Sequence, residues 1–399
     1  MDTLEQKKAV TIAESIQQDM LDATAPLGTV LGSEVQLCER YGVGRDALRE
    51  AIRILEFRGM ARMRRGPKGG LVVRRPNEDA VMRPLAYSYL QGAHAPVLLD
   101  DARAVLTRIA STLAPLGTET DTEPLISMAQ HTGNEALQAI VLVFEALCAS
   151  ARGEGSLSTA TARCDDGTLS SSDSRAGRIA RHLIQRIRMG PAGEGSRLGS
   201  EADLCARYDI GIPVARQVIR LLEQSGLIVC QRGRGNGMFL RTPGIEAVTP
   251  ALASYLVSRS VSSRESWVLG QQLSIETVML AASRRADQAN TRSLEKLLDP
   301  AAPTVLRDAA DLLAIDRAVD RCTPNPVLLA ILEGLKAYSR LRNRDRDLAL
   351  TRFATEHGPE FLASTRAVAH AILTGDCRGA GEAQQLKNQL FISRVIQRS

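Results

Sequence analysis

The chain has little of what β-rich or disulfide-stabilised proteins contain. Aromatic residues make up only 3% of its 399 residues, whereas hydrophobic residues reach 44%. So few aromatic residues favour packed helices over a β-sandwich or barrel, and so many apolar residues exclude a disordered chain. The seven cysteines are scattered and form no C-x-x-C pair, which indicates neither a disulfide framework nor a zinc ribbon. The composition therefore predicts a mainly α-helical fold.

Long apolar segments are also missing. No run approaches the ~20 apolar residues that span a bilayer. The first twenty residues are polar and charged, unlike a signal peptide. We therefore expect a cytoplasmic protein that makes no contact with a membrane.

Sequence motifs of enzymes are absent as well. The chain contains no G-x-S-x-G motif, no P-loop and no cluster of metal-ligand residues at characteristic spacing. We therefore expect no enzymatic activity, no catalytic residue, no cofactor and no metal site.

Lysine is scarce, and the cationic charge comes from 44 Arg and only six Lys, with a net charge of +5. Arginine suits phosphates and guanine edges better than lysine does. A composition rich in Arg and Ala can equally reflect the base composition of a genome. The positions of the arginines must decide between these two interpretations.

An internal repeat organises the chain. Residues 31–76 match residues 198–243 without gaps at an offset of 167, with 20 identities in 46 positions. The similarity continues faintly beyond these segments, where Ser88-Tyr89-Leu90 pairs with Ser254-Tyr255-Leu256. A gene duplication and fusion is the simplest explanation.

Each copy has the pattern of a winged helix-turn-helix. In the first copy, Ser33 and Gln36 form a capping-box signature at the start of a short helix. After a glycine-containing turn, apolar residues at helical spacing predict a second helix from Arg45 to Phe57, with a buried face of Leu48, Ile52 and Leu55. Two short alternating segments joined by glycines then predict a β-hairpin with a basic tip.

The resulting fold class is mainly α, with two winged helix-turn-helix domains, each followed by an all-helical effector or dimerisation region that is shortened in the first half. Residues 153–174 are rich in Gly, Ser, Thr and Asp, which is typical of a flexible linker. The predicted boundaries are residues 1–76 and 175–243 for the winged helices, 77–150 and 244–399 for the helical regions, and 151–174 for the linker.

The arginines of each copy are placed to contact DNA. Arg45, Arg49 and Arg53 recur every four residues, which puts them near one face of the second helix. Residues 31–76 carry 11 Lys and Arg against five Asp and Glu, and residues 198–243 carry six against four. The hairpin cations suit phosphate or minor-groove contacts. The candidate residues are Arg64, Arg65 and Lys68 in the first hairpin, Arg216 and Arg220 in the second helix, and Arg232, Arg234 and Asn236 in the second hairpin.

A solvated basic face is the alternative interpretation, in which Arg49 and Arg53 pair with Glu50 or Glu56. The second copy is also altered where a base would be contacted, because Ile212 replaces Arg45 and Pro213 follows it. The two copies should therefore differ in sequence preference, and the second copy could bind mainly the DNA backbone.

The segment LGSEVQLCERYGVGRDALREAIRILEFRGM resembles the winged helix of the GntR family of bacterial transcriptional regulators, and the second copy resembles it less closely. Gly32 and Gly199 replace the family's proline, and Gly44 and Gly211 replace its serine. The resemblance implies that Arg45 and Arg49 contact bases and that hairpin residues from Arg65 to Gly70 contact the duplex.

Residues 244–399 resemble the all-helical effector domain of the FadR-type (FCD) branch, through TPNPVLLAIL with its Asn325. Many such domains bind a metal through one Asp and three His. Here the first of the three His positions is Asp316, and by a looser alignment the others fall near Thr365 and Lys387, so we expect no metal. Residues 77–150 look like a shortened version, with HTGNEALQAI echoing TPNPVLLAIL, and would expose an apolar face unless packed on the second half or on another chain.

The sequence thus predicts a bacterial transcriptional regulator that binds double-stranded DNA. Repression is the commoner mode in the family, and a small organic acid is the candidate effector. The chain would act as a homo-oligomer or as an internal pseudodimer. The alternative function is a protein-interaction or assembly protein with vestigial winged helices.

Overall fold

The computed structural model describes residues 3–22, 27–57, 59–64, 66, 69–74, 76, 78, 81, 86, 95–115, 123–152, 175–189, 195–224, 227–231, 237–241, 245–284, 288–299, 305–343 and 346–391. It divides into two compact units. The first comprises residues 1–95 and 143–259, and the second comprises residues 96–142 and 260–399. No helix among the described residues is both long and apolar enough to cross a bilayer.

The first winged helix has the predicted elements. They are α1 (Thr3–Asp22), α2 (Glu34–Tyr41), α3 (Arg45–Phe57), β1 (Ala61–Arg64) and β2 (Gly70–Val73). The predicted helix from Arg45 to Phe57 is confirmed. Its predicted apolar face is also confirmed, because Leu48, Ile52 and Leu55 are buried in a core that includes Ile16 and Leu37.

The second winged helix repeats this arrangement. It consists of α7 (Arg175–Met189), β3 (Arg197–Gly199), α8 (Glu201–Tyr208), α9 (Ile212–Gln224), β4 (Ile228–Gln231) and β5 (Gly237–Leu240). Its antiparallel sheet has the order β3-β5-β4. The sequence predicted only the hairpin, and β3 was missed because three residues with a glycine carry no alternating pattern. In the first copy Val30 makes the corresponding bridge to Val72.

Gly70 has a structural role that the resemblance did not indicate. Its φ is +152°, and a Cβ at this position would lie 2.6 Å from the carbonyl oxygen of Gly32. Gly237 repeats the feature in the second copy, with φ +155° and a Cβ position 2.8 Å from the Gly199 oxygen. Both glycines therefore allow the wing to approach the segment before α2.

Ten helices outside the winged helices complete the described fold. In the first half they are α4 (Ala95–Leu113), α5 (Leu125–His131) and α6 (Glu135–Ala151). In the second half they are α10 (Ile245–Ser258), α11 (Ser263–Ser283), α12 (Gln288–Leu298), α13 (Ala309–Asp320), α14 (Pro326–Arg342), α15 (Arg346–Thr374) and α16 (Cys377–Phe391). Residues 96–142 of the shortened first helical region thus share a unit with residues 260–399.

Two buried asparagines join the halves of this unit by reciprocal hydrogen bonds. The Asn134 Oδ1 accepts the Leu137 amide at 2.9 Å, and its Nδ2 donates to the Glu265 carbonyl at 3.3 Å. The Asn325 Oδ1 caps α14, and its Nδ2 donates to the Leu98 carbonyl at 2.7 Å. Glu265 follows Leu98 by 167 residues, which is the offset of the repeat. Asn134 therefore bonds to α11 and Asn325 to α4, at positions that are equivalent in the repeat.

We predict that Gly70→Ala destabilises the first winged helix by about 1–3 kcal/mol, because the new Cβ meets backbone and the φ is strained. Gly44→Ala is the matched control, since its Cβ would meet nothing within 4 Å. Urea unfolding of the two variants measures the difference. Equal stability of both would contradict the role given to Gly70.

Candidate nucleic-acid interface

The candidate interface begins with the arginines of α3. Arg45 and Arg49 are exposed, whereas Arg53, one turn further along, is half-buried. The apolar face of the same helix is buried, so the packing of Leu48 and Leu55 fixes the direction in which these cations point. Within the described parts of the chain, Arg45 makes no ion pair. The first residue of α3 is thus a cation available to a ligand.

The preceding helix sets the position of α3. The Ser33 side chain accepts the Gln36 amide while Gln36 bonds back to the Ser33 amide, which confirms the predicted capping box. Gly42 ends α2 in the left-handed conformation, at φ +61°. These two ends define the short α2 and the tight turn that leads into α3.

An ion pair between the two helices is present in both copies. The Arg49 Nε lies 3.0 Å from the Glu34 Oε1, and the Arg216 Nε lies 3.2 Å from the Glu201 Oε2. The two arginines are 52% and 62% exposed, so each pair stabilises the fold by no more than about 1 kcal/mol. The pairs instead hold each guanidinium group in one orientation. A phosphate or a base can then compete with the glutamate for this group.

The alternative interpretation, in which Arg49 and Arg53 pair with Glu50 or Glu56, is right for Arg53 and wrong for Arg49. Arg53 bonds to Glu50 at 2.8 Å, whereas Arg49 bonds to Glu34 on α2. In the second copy Gln217 takes the place of Glu50. Arg220 is exposed and makes no ion pair with the residues that the structure describes. The two copies therefore differ in how far this third arginine is neutralised.

A glutamate at the end of α3 anchors the wing, which sequence reasoning missed. The Glu56 carboxylate accepts the Met63 amide at 2.9 Å. Burial raises the pKa of Glu56, against the opposing effect of this hydrogen bond. The equivalent pair in the second copy is Glu223 with the Cys230 thiol. Burial, and then Glu223, raise the pKa of this thiol to about 12. Such a thiol stays protonated at neutral pH and is not a redox group.

The wing residues are only partly within the described structure. Arg64 is exposed at the end of β1, and Gly70 begins β2 as a buried residue. The remaining predicted wing residues lie outside the described residues. They are Arg65, Lys68, Arg232, Arg234 and Asn236.

The second unit contains a buried charge cluster at the positions compared with the family's metal ligands. The Lys336 and Lys387 ammonium groups donate to Asp316 at 2.6 and 2.7 Å. Lys336 also donates to Asp320. Thr365 is buried and donates to the Phe361 carbonyl instead. Cationic side chains thus neutralise Asp316, and among the described residues no group of three or more His, Cys, Asp or Glu is arranged to bind a metal.

A cavity of about 120 Å³ adjoins this cluster. The lining is apolar in part, through residues such as Trp267, Leu332 and Phe361. Two buried amide atoms in it, the Gln271 Nε2 and the Gln384 Oε1, have no hydrogen-bond partner in the described structure. A buried polar atom without a partner costs free energy, so a ligand with both an acceptor and a donor would relieve both atoms.

The charge of the cavity depends on Asp320. Burial raises its pKa to about 6, and Asp316 adds to the effect, while Lys336 opposes it. The pKa of Asp316 is shifted downward, because Lys336 and Lys387 outweigh its burial. The cluster therefore gains a positive charge as the pH falls through 6.

Both winged helices are similar to the same family model. Residues 8–73 and 175–237 each match the model of the bacterial regulatory proteins of the gntR family. The chain is 34% identical over 111 residues to the Glc operon transcriptional activator of Escherichia coli K12, a match that covers 28% of this chain and 43% of that protein.

Solved structures were also compared. The Streptococcus agalactiae GntR structure aligns with 56% of this chain and 100% of its own, at 20% identity and a TM-score of 0.30. E. coli McbR/YncC aligns with 56% of this chain and 98% of its own, at 13% identity and a TM-score of 0.25.

Proposed function

We propose that this chain, which carries two winged helices of the gntR family, is a transcriptional regulator that binds double-stranded DNA as a single-chain pseudodimer. The observation that carries the proposal is the exposed pair Arg45 and Arg49 at the start of α3, together with the exposed pair Arg216 and Arg220 on α9. Long cationic side chains near the N-terminal end of a recognition helix are what the major groove requires. The family is one of regulatory proteins, which supports a role other than catalysis.

The arginines have different roles in this proposal. Arg45 contacts a guanine edge, because it begins α3 and has no acidic partner among the described residues. Arg49 and Arg216 release their glutamate partners and then contact a phosphate or a base. Arg53, Arg64 and Arg220, with the wing residues, add contacts to the backbone.

The reciprocal bonds of Asn134 and Asn325 support the pseudodimer. Family members act as two-fold dimers, and in this chain two unequal halves contact each other within one unit. The helices α4 and α11 are also joined by ion pairs, from Arg108 to Glu276 at 2.7 Å and from Arg284 to Asp101 at 2.5 Å. One chain then supplies two winged helices for two half-sites about one helical turn apart.

We predict that Arg45→Ala lowers discrimination at one guanine by about 1–3 kcal/mol, because a bidentate contact is lost. Arg65→Ala should weaken binding evenly across sequences, as expected of a phosphate contact. Selection from a randomised duplex library, followed by titration of the selected operator and its single-base variants, separates the two effects.

Two outcomes would contradict the assignment. If Arg45→Ala lowered only non-specific affinity, Arg45 would not contact a base. If the wild-type chain enriched no motif at any salt concentration, the DNA-binding function itself would fail, and the chain would be a protein-interaction or assembly protein.

We further propose that the cavity of the second unit binds a small organic acid as the effector. The Lys387 ammonium and the Gln271 Nε2 would contact the carboxylate, and the Gln384 Oε1 would accept a hydroxyl or amino donor. In this scheme the buried ammonium groups provide the positive charge that a metal provides in related domains. Repression, released by the acid, is the mode we propose, since it is the commoner one in the family.

We predict that at least one small carboxylic acid bearing a hydroxyl or amino group stabilises the chain in thermal-shift and calorimetric titrations. Its affinity should rise as the pH falls from 7.5 to 5.5, because protonation of Asp320, with its pKa of about 6, removes a negative charge beside the site. Asp320→Asn should remove this pH dependence.

The Gln271→Leu variant tests the location of the binding site. It should abolish acid binding without lowering stability, because the atom it removes has no partner in the described structure. Unchanged binding by this variant, or no stabilisation by any acid of the panel, would overturn the effector proposal and leave DNA binding unaffected.

A further inference from the structure

The first residue of the second recognition helix has a distinct surface chemistry. Ile212 begins α9 at the position where Arg45 begins α3, 167 residues earlier. Its side chain is 52% exposed, and it is not part of the buried core of the second winged helix. Packing therefore does not account for an isoleucine at this position.

The residues around Ile212 are also without polar side chains. Gly211 precedes it, Pro213 follows it, and all three are exposed. Pro213 also lacks a backbone N–H, so this end of α9 offers one donor fewer to a base or phosphate. In the first copy the same three positions are Gly44, Arg45 and Asp46, so this end of the helix changes from polar to apolar.

The rest of the row keeps its cations. Arg216 and Arg220 follow Ile212 at intervals of four residues and are exposed, so all three lie near one face of α9. Phosphates attract that face to the duplex, and Ile212 then meets the base edges. The apolar group that bases present in the major groove is the C5-methyl of thymine.

We propose that Ile212 is a specificity-determining residue that contacts a thymine methyl group, so that the operator has a guanine-reading half-site and a thymine-reading half-site. The inference rests on the proposed DNA-binding function. It differs from binding by the second copy to the backbone alone, which would be indifferent to the base.

Replacement of single thymines by deoxyuridine tests the contact, because it removes only the methyl group. After the operator has been selected, each dT of the second half-site is replaced in turn. We expect one position to lower the affinity of the wild-type chain about three- to fivefold, the factor for one buried methyl group. The same deoxyuridine replacement should lower the affinity of the Ile212→Ala variant by less than half that factor.

Three controls make the result specific. Ile212→Ala should keep the stability of the wild type, since the side chain is exposed. Ile212→Arg should shift the preference of the second half-site from thymine towards guanine, in line with the first copy. A 5-methylcytosine at the sensitive position, with its paired guanine, separates the contribution of the methyl group from that of thymine O4.

Three results would overturn the inference. If no deoxyuridine replacement changed the affinity while Arg45→Ala still relaxed guanine preference, Ile212 would not contact a thymine although DNA binding stands. Equal sensitivity of the wild type and Ile212→Ala would place the methyl contact on another residue. Failure to bind any operator would overturn both the inference and the proposed function.

Discussion

The reciprocal hydrogen bonds of Asn134 and Asn325 are the interaction on which the rest of the second unit depends. Each asparagine caps its own helix with Oδ1 and donates from Nδ2 to a carbonyl of the other half. The two halves can meet both hydrogen-bonding requirements of each asparagine, at Oδ1 and at Nδ2, in one relative position. A shift of either half would leave buried polar atoms unpaired. Residues 96–142 are therefore held in a fixed position against residues 260–399 within the second unit.

In the proposed pseudodimer, covalent linkage of the halves allows them to differ. In a dimer of identical chains every substitution appears in both half-sites, whereas in one fused chain each recognition helix can change by itself. Arg45 and Ile212, at equivalent positions, show this divergence. The second helical region lines the cavity beside Asp316 and Lys387. Fusion also makes pairing intramolecular, so it does not depend on protein concentration.

Local patterns made the winged helices predictable. The spacing of Leu48, Ile52 and Leu55 predicted α3 with its observed bounds, and Ser33 with Gln36 predicted the start of α2. The sequence did not predict β3, since three extended residues carry no periodic signal. Gly70 stays a predicted DNA contact, and the structure adds that it allows two backbone segments to approach each other.

The contacts between distant residues could not be predicted from one sequence. The partner of Arg49 is Glu34 on another helix, although Glu50 and Glu56 are nearer in the chain. The partners of Lys387 and Asn325 are 71 and 227 residues away. Such pairings follow from tertiary packing and have no local pattern. For the same reason, the Gln271 Nε2 and the Gln384 Oε1, which have no hydrogen-bond partner among the described residues, are found only once the helices are assembled.

The most direct test of the central claim is the stoichiometry of the protein on its selected operator. Native mass spectrometry of the complex, with light scattering of the free chain, counts the chains on one duplex. The account predicts one chain on an operator with two unequal half-sites. Two chains on a symmetric palindrome, with four winged helices, would contradict it.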